Sequence, residues 1–223
     1  MDKELFVQAI TKFAAGFLLV GLLLFLPAGT LYYWNGWFFM GILFVPMFAA
    51  GIIMMHKNPG LLRSRLDAKE KEAEQKTVVL LSGLVFIVGF VLCGLSFRFG
   101  WLLLPRWVSV AAGTVFLAAY AMYGEVLLEN TYLSRTIGVQ EGQTVIDTGL
   151  YALVRHPMYT TTVFLFLAMP LVLGSLLSFV VFLAYPFILV KRIRNEEEVL
   201  ERDLPGYREY KDKIRYRLIP YLW

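Results

Sequence analysis

Cysteine, histidine and charge are all scarce in this chain. Its one cysteine, Cys93, stands inside an apolar run, so neither an intramolecular disulfide nor a cysteine-rich metal site can form. Its two histidines, His56 and His156, are far apart and cannot by themselves build a histidine-rich metal site. The chain has no G-x-G-x-x-G after a strand, no P-loop and no H-E-x-x-H, the signatures of dinucleotide binding, phosphate cradling and zinc hydrolysis. Charged residues are 17% of the 223 and hydrophobic residues 58%, whereas soluble domains carry about a quarter charged residues. A polytopic membrane protein is the class that remains.

Six stretches free or nearly free of charge support that class: residues 13–27, 34–55, 77–97, 107–124, 157–173 and 176–190. A hydrocarbon core of about 30 Å needs about 20 helical residues, so the last two are short and predict tilt or partial insertion. The expected fold is therefore an all-α helical bundle of about six hydrophobic helices with a cytoplasmic carboxyl-terminal helix. Positive charge tests the topology, because lysine- and arginine-rich loops stay inside. With a cytoplasmic amino terminus, 19 of the 21 fall inside and only Arg98 and Arg106 outside. The net charge of +4 then reads as topology and headgroup contact, and no exposed basic domain exists to hold nucleic acid. The first helix reads as retained, since Asp2 and Glu4 spoil a signal-peptide n-region and Leu26-Pro-Ala-Gly29 lacks a cleavage pattern.

Pro27 to Trp37 combines turn formers with two tyrosines and two tryptophans and reads as an interfacial aromatic belt. The inner loop, residues 57–76, opens with Asn58-Pro-Gly-Leu-Leu62, and Leu61, Leu62 and Leu66 share one face; a short amphipathic helix on the membrane is expected. The mixed-sign run from Asp67 to Lys76 reads as a solvated helix face. Glu125 and Glu129, one turn apart, either snorkel to the interface or line a polar cavity. Residues 136–148 read as a cytoplasmic loop, the kind of segment that carries function on a rigid scaffold. The expected division is residues 1–130 as amino-terminal membrane helices and 131–223 as a cofactor-binding loop, helical hairpin and carboxyl-terminal helix.

Chemistry concentrates in Gly149-Leu-Tyr-Ala-Leu-Val-Arg-His-Pro-Met-Tyr159. Proline at a first helical position puts His156 at or beside the cap and aims the first-turn amides at the loop, an anion site helped by Arg155. The alternative is a proline-started membrane helix with an interfacial His and Tyr. Two 17-residue arms, 157–173 and 175–191, each span about 25 Å, so the chain returns to the face it left. Arg192 and Glu196 then lie near His156 and Tyr159, one turn apart on a helix face; an ordinary surface ion pair is the competing explanation. A zwitterionic ligand fits this arrangement. S-adenosylmethionine is one, with the helix start taking its carboxylate, Glu196 its ammonium and Tyr or His its adenosine.

The stretch Gly149 to Tyr159, with Arg192-Ile-Arg-Asn-Glu-Glu197, Leu200 and Leu204-Pro-Gly-Tyr-Arg-Glu-Tyr210, resembles the bacterial branch of the isoprenylcysteine carboxyl methyltransferase family. Asn58-Pro-Gly-Leu-Leu62 and Glu129-Asn-Thr-Tyr-Leu-Ser134 are similar to that branch too. The resemblance implies an S-adenosylmethionine site closed by the carboxyl-terminal segment, with a lipophilic substrate entering from the bilayer. Carried over by motif, Tyr151, His156, Pro157, Met158, Tyr159 and Glu196 would contact the cofactor. Gln143, Thr144, Val145 and Ile146 match the strand-like approach to the turn, and Gln140 is a looser match across a shorter loop. Arg192 matches the substrate-orienting arginine and is the expected catalytic residue.

A carboxylate acceptor, ionised at neutral pH, needs no general base. Positioning and desolvation would carry the reaction, with Arg192 gripping the acceptor bidentately. The expected activity is thus an S-adenosylmethionine-dependent carboxyl methyltransferase of the bacterial inner membrane, with both termini and the site cytoplasmic. Its partners would be a lipophilic or prenylated substrate and membrane lipids, with no metal and no nucleic acid. Three alternatives stay open. An amine acceptor would need Glu125, Glu129 or His156 to remove a proton. A sterol-reductase-like enzyme would use NADPH, although such reductases resemble Arg-x-x-Asn-Tyr at the turn. A non-catalytic lipid-binding protein would keep the pocket alone.

Overall fold

The computed structural model describes residues 3–66, 73–133 and 137–223, with side chains of 73–75 left aside. Asp2, the stretch 67–72 of the mixed-charge run, and Ser134, Arg135 and Thr136 therefore lie outside the described residues. Helix α1 (Lys3–Ala28) carries no charge after Lys12 and stops where Gly29 takes a left-handed φ of 68°, its amide closing on the Phe25 carbonyl. Helix α2 (Trp34–Lys57) ends on His56 and Lys57, the lysine a cation suited to a helix carboxyl end. Asn58 then caps α3 (Pro59–Leu66), its Oδ1 accepting from the Leu61 amide at 3.0 Å ahead of a first-position proline. Leu61 and Leu62 are buried, so the expected short amphipathic helix is present with its apolar face covered.

Helices α4 (Ala73–Phe99) and α5 (Arg106–Glu129) follow, then a 3-10 turn (Gly149–Ala152) and α6 (Pro157–Val172). The remaining helices are α7 (Leu176–Phe182), α8 (Tyr185–Asp203) and α9 (Tyr207–Lys213). Among the described residues there is no strand; the approach from Gln143 to Ile146, expected to be strand-like, has no regular secondary structure. Four single helices, α1, α2, α4 and α5, are long and apolar enough to cross a membrane, and α7 with α8 makes a fifth candidate span. Helix α6 has 16 residues, about 24 Å of rise, and falls short of the hydrocarbon thickness.

The second arm of the hairpin departs from the expected single helix. It breaks at Leu183–Ala184, ahead of Pro186. Proline has no amide to give the carbonyl four residues back, and its ring crowds that carbonyl, so the helical ladder is interrupted there. Helix α8 still returns to the starting face, where Arg192 and Glu196 reach Tyr159.

A core drawn from α1, α2 and α4 to α7 fixes the bundle, with Leu24, Phe39, Phe116, Val172 and Phe182 all fully buried. Gly94 allows the close α1–α4 approach, because a Cβ there would lie 2.5 Å from the Leu24 carbonyl oxygen. Aromatic rings meet edge to face across helices, as Phe86 and Phe166 do at 4.6 Å and 88°. On the outside, Leu18, Leu22 and Leu26 of α1 are exposed, the surface a hydrocarbon solvent would wet.

The aromatic segment between α1 and α2 does more than an interfacial belt would. Tyr32 is 91% exposed, but Tyr33 is fully buried, its hydroxyl donating to the Leu173 carbonyl at 2.6 Å. Asn35 is buried beside it, donating to the Val172 carbonyl at 2.8 Å and to Ser109 Oγ at 2.9 Å. Ser175 Oγ donates to Ser96 Oγ at 2.9 Å, and Leu103 bridges to Ser175. These bonds pin the α6–α7 turn at one end of the bundle and leave the start of α6 at the other.

Candidate functional site

At that other end, the chain makes a tight turn because Gly149 allows it. Its φ is +50°, and a Cβ there would fall 2.0 Å from a Glu129 carboxylate oxygen. Thr148 Oγ1 donates to the same carboxylate at 2.6 Å. Glu129 is therefore half-buried against the turn while Glu125 remains exposed, so the two carboxylates do not act as a pair. Tyr151 is buried; its hydroxyl accepts from Asn130 Nδ2 at 3.0 Å, and its carbonyl accepts from the Tyr210 hydroxyl at 2.8 Å.

From Val154 the chain runs beside the carboxyl-terminal segment. The Arg155 and His156 amides donate to the Tyr216 and Arg217 carbonyls at 2.9 and 3.0 Å, and Thr160 Oγ1 donates to the Leu218 carbonyl at 2.8 Å. Arg155, expected to assist a ligand anion, is instead engaged within the protein. Its Nε lies 2.8 Å from Glu197 Oε1, and its Nη1 donates to the Ile214 and Arg215 carbonyls. His156 Nε2 is 3.2 Å from the same Glu197 oxygen, and Arg217 Nε is 2.9 Å from the other. One buried carboxylate thus gathers two guanidiniums and an imidazole. Neither arginine was expected to be held in this way, because the pairing depends on a tail that shows no periodicity in the sequence.

His156 occupies the cap position of α6, with Pro157 first in the helix. Tyr159, one turn on, donates its hydroxyl to Glu196 Oε2 and accepts from Arg192 Nε at 2.9 Å. The Arg192 guanidinium lies 6.0 Å over the Tyr159 ring. Arg192 and Glu196 are partly buried and linked through Tyr159, so a surface ion pair does not describe them. The amino-terminal half also reaches this point: Arg65 of α3 donates to the Tyr123 hydroxyl and lies 3.9 Å from the Met158 sulfur.

One cavity collects most of the expected residues. Gln143, Thr144, Val145 and Ile146 form its loop wall; Tyr151, His156, Met158 and Tyr159 its floor; Arg192 and Glu196 its α8 side. Gln140 and Pro157 are not part of the lining. Gln140 braces the loop: its side chain donates to the Tyr132 carbonyl and its amide to Gln143 Oε1 at 2.9 Å. Residues not expected there complete the wall, notably Asn130, Tyr132, Leu200, Leu204, Tyr207 and Tyr210. The available signal was Leu204-Pro-Gly, where Gly206 at φ +84° reverses the chain and folds α9 back over the loop. Leu204, Tyr207, Tyr210 and Ile214 pack there with Val139, Val145 and Leu200.

Burial pushes the phenols of Tyr151, Tyr207 and Tyr210 upward, and at Tyr207 the Glu197 and Glu196 carboxylates add to the rise. All three stay protonated and can donate at neutral pH. Tyr207 is 4% exposed, and its hydroxyl has no hydrogen-bond partner among the described residues. Among those residues, no three His, Cys, Asp or Glu side chains are grouped to hold a metal ion. The arrangement offers a carboxylate, a guanidinium, several hydroxyl donors and an apolar wall: the features a zwitterionic ligand with a flat apolar part would require.

Residues 107–202, from α5 through α8, match the isoprenylcysteine carboxyl methyltransferase family. The fold is similar to that of a solved eukaryotic intramembrane Ras methyltransferase, an isoprenylcysteine carboxyl methyltransferase. That likeness has a TM-score of 0.61 at 17% identity, over 96% of this chain and 77% of the other. A curated relative, the delta(14)-sterol reductase of Mus musculus, is 32% identical over 91 residues. The match takes in 40% of this chain and 22% of the reductase, so the chain spans about a fifth of that relative's length.

Proposed function

We propose that this chain is an integral-membrane methyltransferase that binds S-adenosylmethionine in the cavity between the start of α6 and α8. Its acceptor would be the carboxylate of a lipophilic, isoprenylcysteine-like molecule. The observation that carries the reading is the linkage of Arg192, Tyr159 and Glu196 beside the His156 cap. It lies inside the stretch that matches the methyltransferase family.

The residues present fit such a ligand. Glu196 supplies a carboxylate for an ammonium group, with its orientation set by the Tyr159 hydroxyl. Val145, Ile146, Leu200 and Leu204 offer an apolar wall for a purine ring. When bound, S-adenosylmethionine supplies a methyl group made electrophilic by its sulfonium. The protein's own contribution is positional. Arg192, held through Nε on Tyr159, orients an acceptor carboxylate, a planar two-pronged grip that lysine lacks. No general base is needed, because an ordinary carboxyl group titrates at about pH 4 and is ionised at neutral pH. His156 therefore serves at the helix cap and in the Glu197 cluster and moves no proton. The loop and α9 cover the cavity and limit water around it.

The lysine and arginine pattern supports a cytoplasmic site and cytoplasmic termini, as in a bacterial inner-membrane enzyme. A second reading, an NADPH-dependent reductase, is favoured by the 32% identity to the sterol reductase. The two separate in one experiment: calorimetric titration of the purified protein in detergent with S-adenosylmethionine and with NADPH. Saturable binding of the first, followed by methyl transfer to a prenylthioether carboxylic acid, is the expected result. Binding of NADPH alone would move the assignment to the reductase reading.

A further inference from the structure

Five tyrosines line the cavity, and four have their hydroxyls engaged within the protein. Tyr132 donates to the Gly142 carbonyl, Tyr151 accepts from Asn130, Tyr159 donates to Glu196, and Tyr210 donates to the Tyr151 carbonyl. Tyr207 differs. It is 4% exposed, packs its ring 5.8 Å from Tyr210, and leaves its hydroxyl unpartnered among the described residues. A buried hydroxyl without a partner loses its water and gains nothing in return. If ring packing were the whole purpose, phenylalanine would serve better.

The surroundings define what the hydroxyl would meet. Glu197, Glu196 and Arg155 are the charges that act on it. Glu197 is already held by Arg155, His156 and Arg217, and Glu196 by Tyr159. The ammonium pole of an amino-acid ligand belongs at Glu196. Its carboxylate is repelled from there and drawn toward the Glu197 cluster, where the Arg155 and Arg217 guanidiniums outnumber the one carboxylate. Resting on the S-adenosylmethionine reading above, we propose that the Tyr207 hydroxyl donates a hydrogen bond to the ligand's α-carboxylate. It thereby selects an amino-acid-bearing nucleoside over one that lacks the carboxylate.

The test compares wild type with Tyr207→Phe in calorimetric titrations against S-adenosylmethionine and decarboxylated S-adenosylmethionine, and follows the melting of the ligand-free proteins. The substitution should weaken S-adenosylmethionine binding roughly tenfold and leave affinity for the decarboxylated ligand within about twofold. Ligand-free Tyr207→Phe should melt at or above the wild-type temperature, since an unpaired buried hydroxyl has been removed. Tyr210→Phe, which strands the Tyr151 carbonyl, should melt lower and so report a structural phenol. Unchanged S-adenosylmethionine affinity in Tyr207→Phe, an equal loss on both ligands, or a melting loss matching that of Tyr210→Phe would each overturn the assignment. If wild type itself fails to bind S-adenosylmethionine, the functional reading falls and this inference with it.

Discussion

Glutamine in place of Glu197 would take the charge out of the cluster that holds the carboxyl-terminal segment over the site. The side chains of Glu197 and Arg155 are each 4% exposed and 2.8 Å apart. Removing one partner of such a pair leaves the other charge buried and uncompensated, at a cost of about 3–5 kcal/mol. Two Arg155 bonds to the Ile214 and Arg215 carbonyls survive the substitution and favour the lower part of that range. Arg217 is 29% exposed, so water can replace its half of the cluster, and Arg217→Gln should cost only about 1 kcal/mol. For a chain of this size, 1 kcal/mol moves Tm by about 2–4 °C. With about 3–4 kcal/mol for Glu197→Gln, the expected losses are about 6–16 °C for Glu197→Gln and about 2–4 °C for Arg217→Gln.

The loss should be local before it is global, because the pairs fasten the tail to the start of α6 and not the helices of the bundle to one another. Residues 214–218 are held to 155–160 by backbone bonds, Thr160 and this cluster. Once the cluster opens, trypsin should reach Arg215 and Arg217. Trp223, whose ring lies 5.3 Å from the Arg217 guanidinium, should shift its fluorescence at the same denaturant concentration. Thermal melting in detergent and limited proteolysis measure the two effects separately. A Glu197→Gln protein with native Tm and an unchanged tryptic pattern would show that the cluster does not secure the tail, and would refute the reasoning.

Three further outcomes follow from the same geometry. Glu196→Gln, which keeps an acceptor for Tyr159 but removes the charge, should lower S-adenosylmethionine affinity about 10- to 100-fold with the melting curve unchanged; equal calorimetric affinity removes Glu196 from the site. Arg192→Lys should leave S-adenosylmethionine binding intact and reduce turnover on a carboxylate acceptor by at least about tenfold, and a wild-type rate would exclude the orienting role. Cysteine introduced at Lys57 should be labelled from the cytoplasmic side and cysteine at Trp101 from the opposite side; the reverse pattern would invert the topology.

The helices could be read from the sequence because the relevant energies are nearly local. Each charged residue in hydrocarbon costs a few kcal/mol regardless of its distant neighbours, so the long apolar runs and the basic loops stand out without knowledge of packing. The hairpin return is equally local, since helix rise and arm length bring Glu196 to Tyr159. Pro186 was also a local signal, and its effect on the second arm follows from the missing amide alone. Tyr33 and Asn35 are different: aromatic and polar composition near an interface is the same whether a side chain faces lipid headgroups or the Val172 and Leu173 carbonyls, and only the docked α6–α7 turn distinguishes the two.

The carboxyl-terminal closure lies furthest from what local rules can reach. Arg155 lies beside the proline-started helix, where a basic residue reads as help for a ligand anion, yet Glu197 and the tail occupy it. That outcome needs Pro205 and Gly206 to turn the chain, α9 to seat Tyr210 on the Tyr151 carbonyl, and residues 214–218 to bond with 155–160. Pro205-Gly206 marks a turn locally, but nothing periodic says where α9 and the tail then dock. Because Arg155 gives its Nε and Nη1 to Glu197 and the tail carbonyls, hydroxyls and the helix start gain weight as donors to a ligand anion, and a buried phenol such as Tyr207 gains importance that no charge count would assign to it.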